Sequence, residues 1–224
     1  MSILSEPDKS HRHRPPICYN GPVEETTHPD EWSMDPCALR LDPCALAPWL
    51  DEMACHPLPG GVAAAAVGAA MGAALVVKAA RLALSHGLDL PGRAEMEALA
   101  GRAHQQAMEL LELADADTQA YRSVLHTRRL AGQEPARQQA WQAATEVPLR
   151  LAELCAPLEE FVPALLDRCP PVVRLELQVG GWLLHAASRA GRLAAEVNLG
   201  MCGECDETGS LRVRLAALEE GSRD

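Results

Sequence analysis

The stretch HPLPGGVAAAAVGAAMGAALVVKAARLAL, residues 56–84, constrains the fold more than any other part of the chain. From Val62 to Val77 it holds only valine, alanine, glycine, methionine and leucine. Alanine is the strongest helix former, and proline and glycine mark the entry, so a helix is expected over residues 60–85. It is apolar on every face, which predicts a central, buried helix. Gly61, Gly68 and Gly72, with Ala65 and Ala69, leave a smooth strip along it. Such strips let helix backbones approach closely, in water as in membranes. The uncharged run covers 16 residues, short of the ~20 a spanning helix needs, so a core helix is expected rather than a membrane span.

The rest of the chain reads as helical too. Apolar residues make up 48% of the 224, but only four tryptophans, two tyrosines and one phenylalanine are among them. Alanine and leucine supply the hydrophobicity, which suits helices and not sheets. A short amphipathic helix is expected over residues 44–55. Pro91 opens a third segment, with Met96, Leu99, Ala103, Ala107, Leu110, Ala114, Tyr121 and Leu125 at three- and four-residue steps. Gly132 and Pro135 separate it from a fourth, which runs to about Leu166 and in which Pro148, Pro157 and Pro163 each predict a kink or break. The sequence CPPVV at 169–173 ends it. A fifth helix follows, with Leu175, Val179, Trp182, Ala186, Ala190, Leu193 and Val197 in step. The tail alternates like a strand over Leu211, Val213 and Leu215. A lone strand has no partner, so a short helix is the other reading. The expected fold is all-α: a bundle of five to six helices around the central Ala/Gly-rich one.

Residues 1–36 are rich in proline and polar side chains and read as a flexible arm. Residues 37–200 form the helical domain and 201–224 an extension carrying Cys202 and Cys205 in a CxxC. The N-terminus has no apolar run of the signal-peptide kind, and eight cysteines without one read as thiols of a cytoplasmic protein or as ligands. The net charge of −11 argues against nucleic acid and anionic membrane surfaces as partners.

The motifs carry weak chemistry by themselves. Gly60 and Gly61 can leave backbone N–H groups free at a helix N-terminus, an anion site, or simply form a turn. Asp35-Pro36-Cys37 recurs as Asp42-Pro43-Cys44, two short capped turns with small apolar thiols or a pair of ligands. One CxxC is half a zinc site, a redox pair or an accident. His11, His13 and His56 beside Cys55 add soft ligands, so zinc or another metal at Cys202 and Cys205 is one reading. A redox pair is the less expected one, because no βαβ pattern surrounds it.

Four segments together, PLPGGVAAAAVGAAMGAALVVKAARLAL, LLELADADTQAYRSVL, ATEVPLRLAEL and GWLLHAASRAGRLAAEVNL, resemble the cyclodeaminase/cyclohydrolase family. The resemblance spans about residues 44–200, with EVPL and the NL closing a long helix its most specific pieces. It implies an all-helical homodimer acting on a tetrahydrofolate derivative, either closing the formimino form to the methenyl form with loss of ammonia, or interconverting methenyl and formyl forms through water. No redox cofactor or metal is implied. Counting back from VNL puts Glu176 at the family's acidic position, as the group that shuttles a proton. The implied substrate site draws on Gly60, Gly61, Lys78, Arg81, His86, Asp115 and Asn198, with Asp117 beside Asp115 in an acidic patch. Without the resemblance, Asp115 and Asp117 read as a solvated helix face and Glu176 as an exposed acid.

The chain departs from the family pattern where Val62 and Ala63 replace a third glycine and a serine, at Ala83, Ser85 and His86, and at CPPVV. These departures open a second reading: a catalytically silent relative that binds a ligand, metal or partner through its cysteine-bearing ends.

Overall fold

The computed structural model describes residues 43–84, 90–129, 132, 134–203 and 205–220. The arm at 1–36, the first Asp-Pro-Cys and His86 lie outside the described residues. Six helices follow one another: α1 (Pro43–Cys55), α2 (Gly61–Leu84), α3 (Leu90–Thr127), α4 (Glu134–Arg168), α5 (Pro171–Leu199) and α6 (Asp206–Glu220). There is no strand among the described residues, and the alternating tail is the helix α6.

The alanine-rich α2 packs chiefly on α3 and α5, with α4 behind it. It buries Ala63, Ala66, Ala69, Gly72, Ala73, Val76, Val77, Ala79, Ala80 and Ala83. Burial is not all-round as its sequence predicts: Met71, Ala74 and Arg81 are exposed. The helix also outruns its uncharged core. At 24 residues it is long and apolar enough to cross a bilayer, and half of its most apolar window is buried inside the bundle.

Glycines set how closely the helices approach. A Cβ on Gly72 would stand 2.7 Å from the Gly180 carbonyl oxygen, and a Cβ on Gly180 would stand 2.9 Å from that of Gly72. So α2 and α5 cross backbone to backbone, which only glycine permits. The second crossing is α5 on α4, where a Cβ on Gly191 would lie 2.5 Å from the Pro148 carbonyl oxygen.

Of the kink or break expected at each proline of the fourth segment, no break occurs: α4 runs unbroken through Pro148, Pro157 and Pro163. Pro148 has no N–H, so the carbonyl four residues back, that of Ala144, loses its helical donor. Asn198 at the end of α5 replaces it, donating from Nδ2 to the Ala144 oxygen at 2.7 Å. Pro157 and Pro163 are exposed, and the carbonyls they release belong to the partly exposed Glu153 and Glu159.

The core face of α5 consists of Val173, Leu177, Gly180, Leu184, Ala187, Gly191 and Ala195. A second apolar stripe points outward: Leu175, Trp182, Leu193 and Val197 are all more than 60% exposed. Finally, α6 packs Leu211 and Leu215 against Leu149, Ala195 and Leu199. Arg214 ties it to α4 through Glu146 and Glu153, with N–O distances of 2.7 to 2.9 Å.

Candidate functional site

Two polar sites stand at opposite ends of α2. At its N-terminus Gly60 is the cap, its carbonyl accepting the first helical bond from Ala64 N–H at 3.1 Å. The early N–H groups of a helix have no partner within it. Here the Ala63 N–H donates to the carboxylate of Asp117, brought in from α3. The Asp117 Oδ2 lies 3.9 Å from where a Cβ on Gly60 would sit, which places the carboxylate beside the entry of α2. Burial pushes the Asp117 carboxyl above the usual carboxylate range, and the Ala63 bond opposes this in part. Asp115 is exposed on the other side of α3. Residues two apart in a helix point about 200° from each other, so only one of the two acids can face the core.

This modifies the anion site expected at Gly60 and Gly61. A carboxylate of the protein already holds the Ala63 N–H, so a ligand arriving here meets an acid and not an empty ring of donors. Asp117 is the residue that sequence reasoning underweighted, and a signal for it exists. The apolar stripe of α3 steps from Ala114 to Tyr121, and Asp117 occupies the turn between them.

At the other end, Lys78 of α2 and Glu176 of α5 form an ion pair with Nζ–Oε1 2.7 Å. The hydrogen bond and the charge of Lys78 hold Glu176 below the usual carboxylate range. Both side chains are about a third or more exposed (42% and 34%). Arg81, exposed, lies one turn beyond Lys78. Fifteen residues separate Ala63 from Lys78, about 22 Å of helix. Lys78 and Glu176 therefore meet as a pair, and Gly60 meets Asp117, but the two sites are distinct.

Asn198 joins neither. Its amide donor is held by Ala144, at the end of α5 remote from Glu176. The two most specific sequence pieces, EVPL and NL, thus meet in a structural bond between Asn198 and the carbonyl that Pro148 releases.

Two shallow grooves, of about 370 and 190 Å³, lie away from both sites. The larger runs between α5 and α6, over Leu199 and Leu215, and the smaller along α5 beside Leu193. Both are open surface depressions next to the outward stripe of α5, and the titratable groups with shifted carboxyls are at neither.

Cys202 and Cys205 are free thiols at the α5–α6 turn. No group of three or more His, Cys, Asp or Glu side chains among the described residues could hold a metal ion, so zinc at this CxxC has no support.

A family profile described as formiminotransferase-cyclodeaminase matches residues 47–216. The structure is similar to the crystal structure of formiminotetrahydrofolate cyclodeaminase from Thermotoga maritima, with a TM-score of 0.73. That match has 22% sequence identity and covers 81% of this chain and 90% of the other. Among curated proteins none matches the chain.

Proposed function

The chain belongs to the formiminotransferase-cyclodeaminase family, and from that premise we propose that it is a folate one-carbon enzyme, of the cyclodeaminase or cyclohydrolase type, with Asp117 as its proton-transferring group. The observation that carries this reading is the half-buried Asp117 carboxyl, raised in pKa, beside Gly60 and bonded to the Ala63 N–H at the α2 N-terminus.

Both reactions turn on one proton. In cyclodeamination the second folate nitrogen, the exocyclic arylamine, attacks the formimino carbon, and ammonia leaves only if its nitrogen is protonated. In cyclohydrolysis water adds to the methenyl carbon and gives up a proton. A group that both holds and releases a proton near neutral pH serves either step. Desolvation moves Asp117 in that direction. Glu176 is moved the other way by Lys78 and stays ionised, a poor proton donor. The family resemblance alone points to Glu176; the electrostatics favour Asp117, with the Lys78–Glu176 pair as a separate polar site.

A homodimer completes the proposal. The outward stripe of α5 is Leu175, Val179, Trp182, Ala186, Ala190, Leu193 and Val197. Its spacing is the same read in either direction from Ala186. An antiparallel second copy of α5 would set Leu175 against Val197, Val179 against Leu193 and Trp182 against Ala190, the self-complementarity that a two-fold interface requires. Cys55, Cys155, Cys169, Cys202 and Cys205 are free thiols, which fits a reducing, cytoplasmic setting.

The test is spectroscopic. Decay of the methenyl-tetrahydrofolate chromophore, and its appearance from formimino-tetrahydrofolate, are followed with wild type, Asp117→Asn and Glu176→Gln. Wild type should accelerate one of the two conversions. Asp117→Asn should lower that rate by about 10²–10⁴-fold, and Glu176→Gln by far less. The reverse ranking would return the proton to Glu176. No acceleration of either conversion by folded wild type would overturn the enzyme and leave the silent, ligand-binding relative.

A further inference from the structure

The CxxC is not absorbed by the folate reading, and its surroundings are organised. The turn between α5 and α6 is draped along one face of α4. Gly203 lies over Gln138, with 3.3 Å between its Cβ position and Nε2. Cys205 Sγ is 2.9 Å from Gln142 Nε2, and Cys202 Sγ is 3.6 Å from Thr145 Oγ1. Positions 138, 142 and 145 share a helix face, so both sulfurs rest on adjacent turns of the same surface. The buried Thr208 draws the turn closed: its hydroxyl donates to the Gly203 carbonyl at 2.9 Å and lies 3.1 Å from Cys205 Sγ.

The two thiols are not equivalent. Cys205 caps α6, with the Thr208 N–H directed at its sulfur at 3.5 Å and the Gln142 amide donating to it. The Cys205 thiol also donates to the Glu207 carboxylate, a group placed to take its proton as the sulfur attacks. Cys202 instead gives its proton to the Asn198 carbonyl at 3.5 Å. Both are partly exposed, whereas Cys155 and Cys169 are buried, and burial pushes the Cys155 thiol up to about 12.

We propose that Cys202 and Cys205 form a thiol–disulfide switch, read by small-molecule disulfides, that loosens the first turn of α6. The Cys205 thiolate attacks one sulfur of the small disulfide. That S–S bond breaks and one thiolate leaves, giving a mixed disulfide on Cys205. Cys202, losing its proton to solvent, then attacks the Cys205 sulfur and expels the second thiolate. Two protein thiols and one small disulfide become one protein disulfide and two small thiols. The Cys205 sulfur, once bonded to Cys202, no longer serves as the α6 cap.

The test uses the full chain, glutathione disulfide as the probe, alkylation of the remaining thiols and peptide mass analysis. Wild type should lose both alkylation sites at 202 and 205 together, with the two cysteines linked, and recover them on reduction. Cys202→Ser should stop at glutathione on Cys205, and Cys205→Ser should leave Cys202 alkylatable. Hydrogen exchange at Glu207, Thr208 and Gly209 should quicken about five- to tenfold in the oxidised protein, the loss of one helix cap. The exposed Cys55 is an internal control for generic reactivity. Glutathione on Cys55 while 202 and 205 stay alkylatable would overturn the switch. So would Cys202 reacting as readily without Cys205, and unchanged exchange would overturn the link to α6.

Discussion

Replacing Asn198 by alanine tests what lets α4 run through Pro148. The Ala144 carbonyl loses its helical donor to the proline ring and accepts from the Asn198 amide, at 2.7 Å. Ala144 is buried, so Asn198→Ala strands a carbonyl away from water, which costs about 1–3 kcal/mol. Asn198→Asp is the sharper probe, because it keeps the volume but offers a carbonyl a carboxylate instead of a donor. It should cost at least as much as alanine at neutral pH. Pro148→Ala changes the arithmetic. It restores an N–H that can reach the Ala144 oxygen within the helix, making Asn198 redundant. In that background Asn198→Ala should cost under about 1 kcal/mol, a coupling of roughly 1–2 kcal/mol between the two positions. The cycle cancels any other effect of removing the proline ring. Urea unfolding of the four proteins gives the energies from midpoint shifts at constant slope. Costs that add within about 0.5 kcal/mol would refute the reasoning and mean that Asn198 does not stand in for the missing donor.

Gly72→Ala should destabilise by about 1–3 kcal/mol, because the new methyl meets the Gly180 carbonyl at 2.7 Å and a backbone must move. Gly68→Ala, with nothing within 4 Å, should stabilise by up to about 1 kcal/mol through helix propensity alone; thermal melts that move both variants the same way would contradict the crossing. Asp117 binds a proton in the folded chain at a pH where the unfolded chain has released it, since its folded pKa is raised. Its contribution to stability is therefore fully present below about pH 4 and is lost as pH rises through the folded value. Relative to Asp117→Asn, wild type should lose melting temperature across that window, and parallel pH profiles would speak against a desolvated carboxyl. Trp182→Glu places a charge in the outward stripe of α5 and should convert a dimer to a folded monomer by light scattering. A wild type already monomeric at micromolar concentration would remove the interface.

The helices of this bundle are legible because proline and glycine punctuate long alanine- and leucine-rich runs. What those helices present to each other is not. In α5 the heavy apolar stripe through Leu175, Trp182 and Leu193 is the obvious core face by hydrophobicity, yet it points outward. The inner stripe is lighter because it must be: Gly180 and Gly191 admit the backbones of α2 and α4 at distances no side chain would allow. Where helices pack this closely, small residues mark the crossing points, with Leu177 and Leu184 filling the core between them. The same logic hides Asp117. Two acids two residues apart read as one polar patch, and only the stripe on either side of Asp117 reveals that one of them must enter the packed face. Pro148 shows the complementary failure. Its local rule is correct, since the ring does remove a helical bond, but the replacement comes from Asn198, fifty residues along the chain. A sequence window sees the lost donor and not its substitute. Glu176 and Lys78 are the intermediate case, each recognisable alone as a polar residue on its helix. Their pairing follows only from the antiparallel crossing of α2 and α5 at Gly72 and Gly180. That crossing fixes which carboxyl is held ionised by a lysine, so the pairing of Glu176 is a consequence of where two glycines sit.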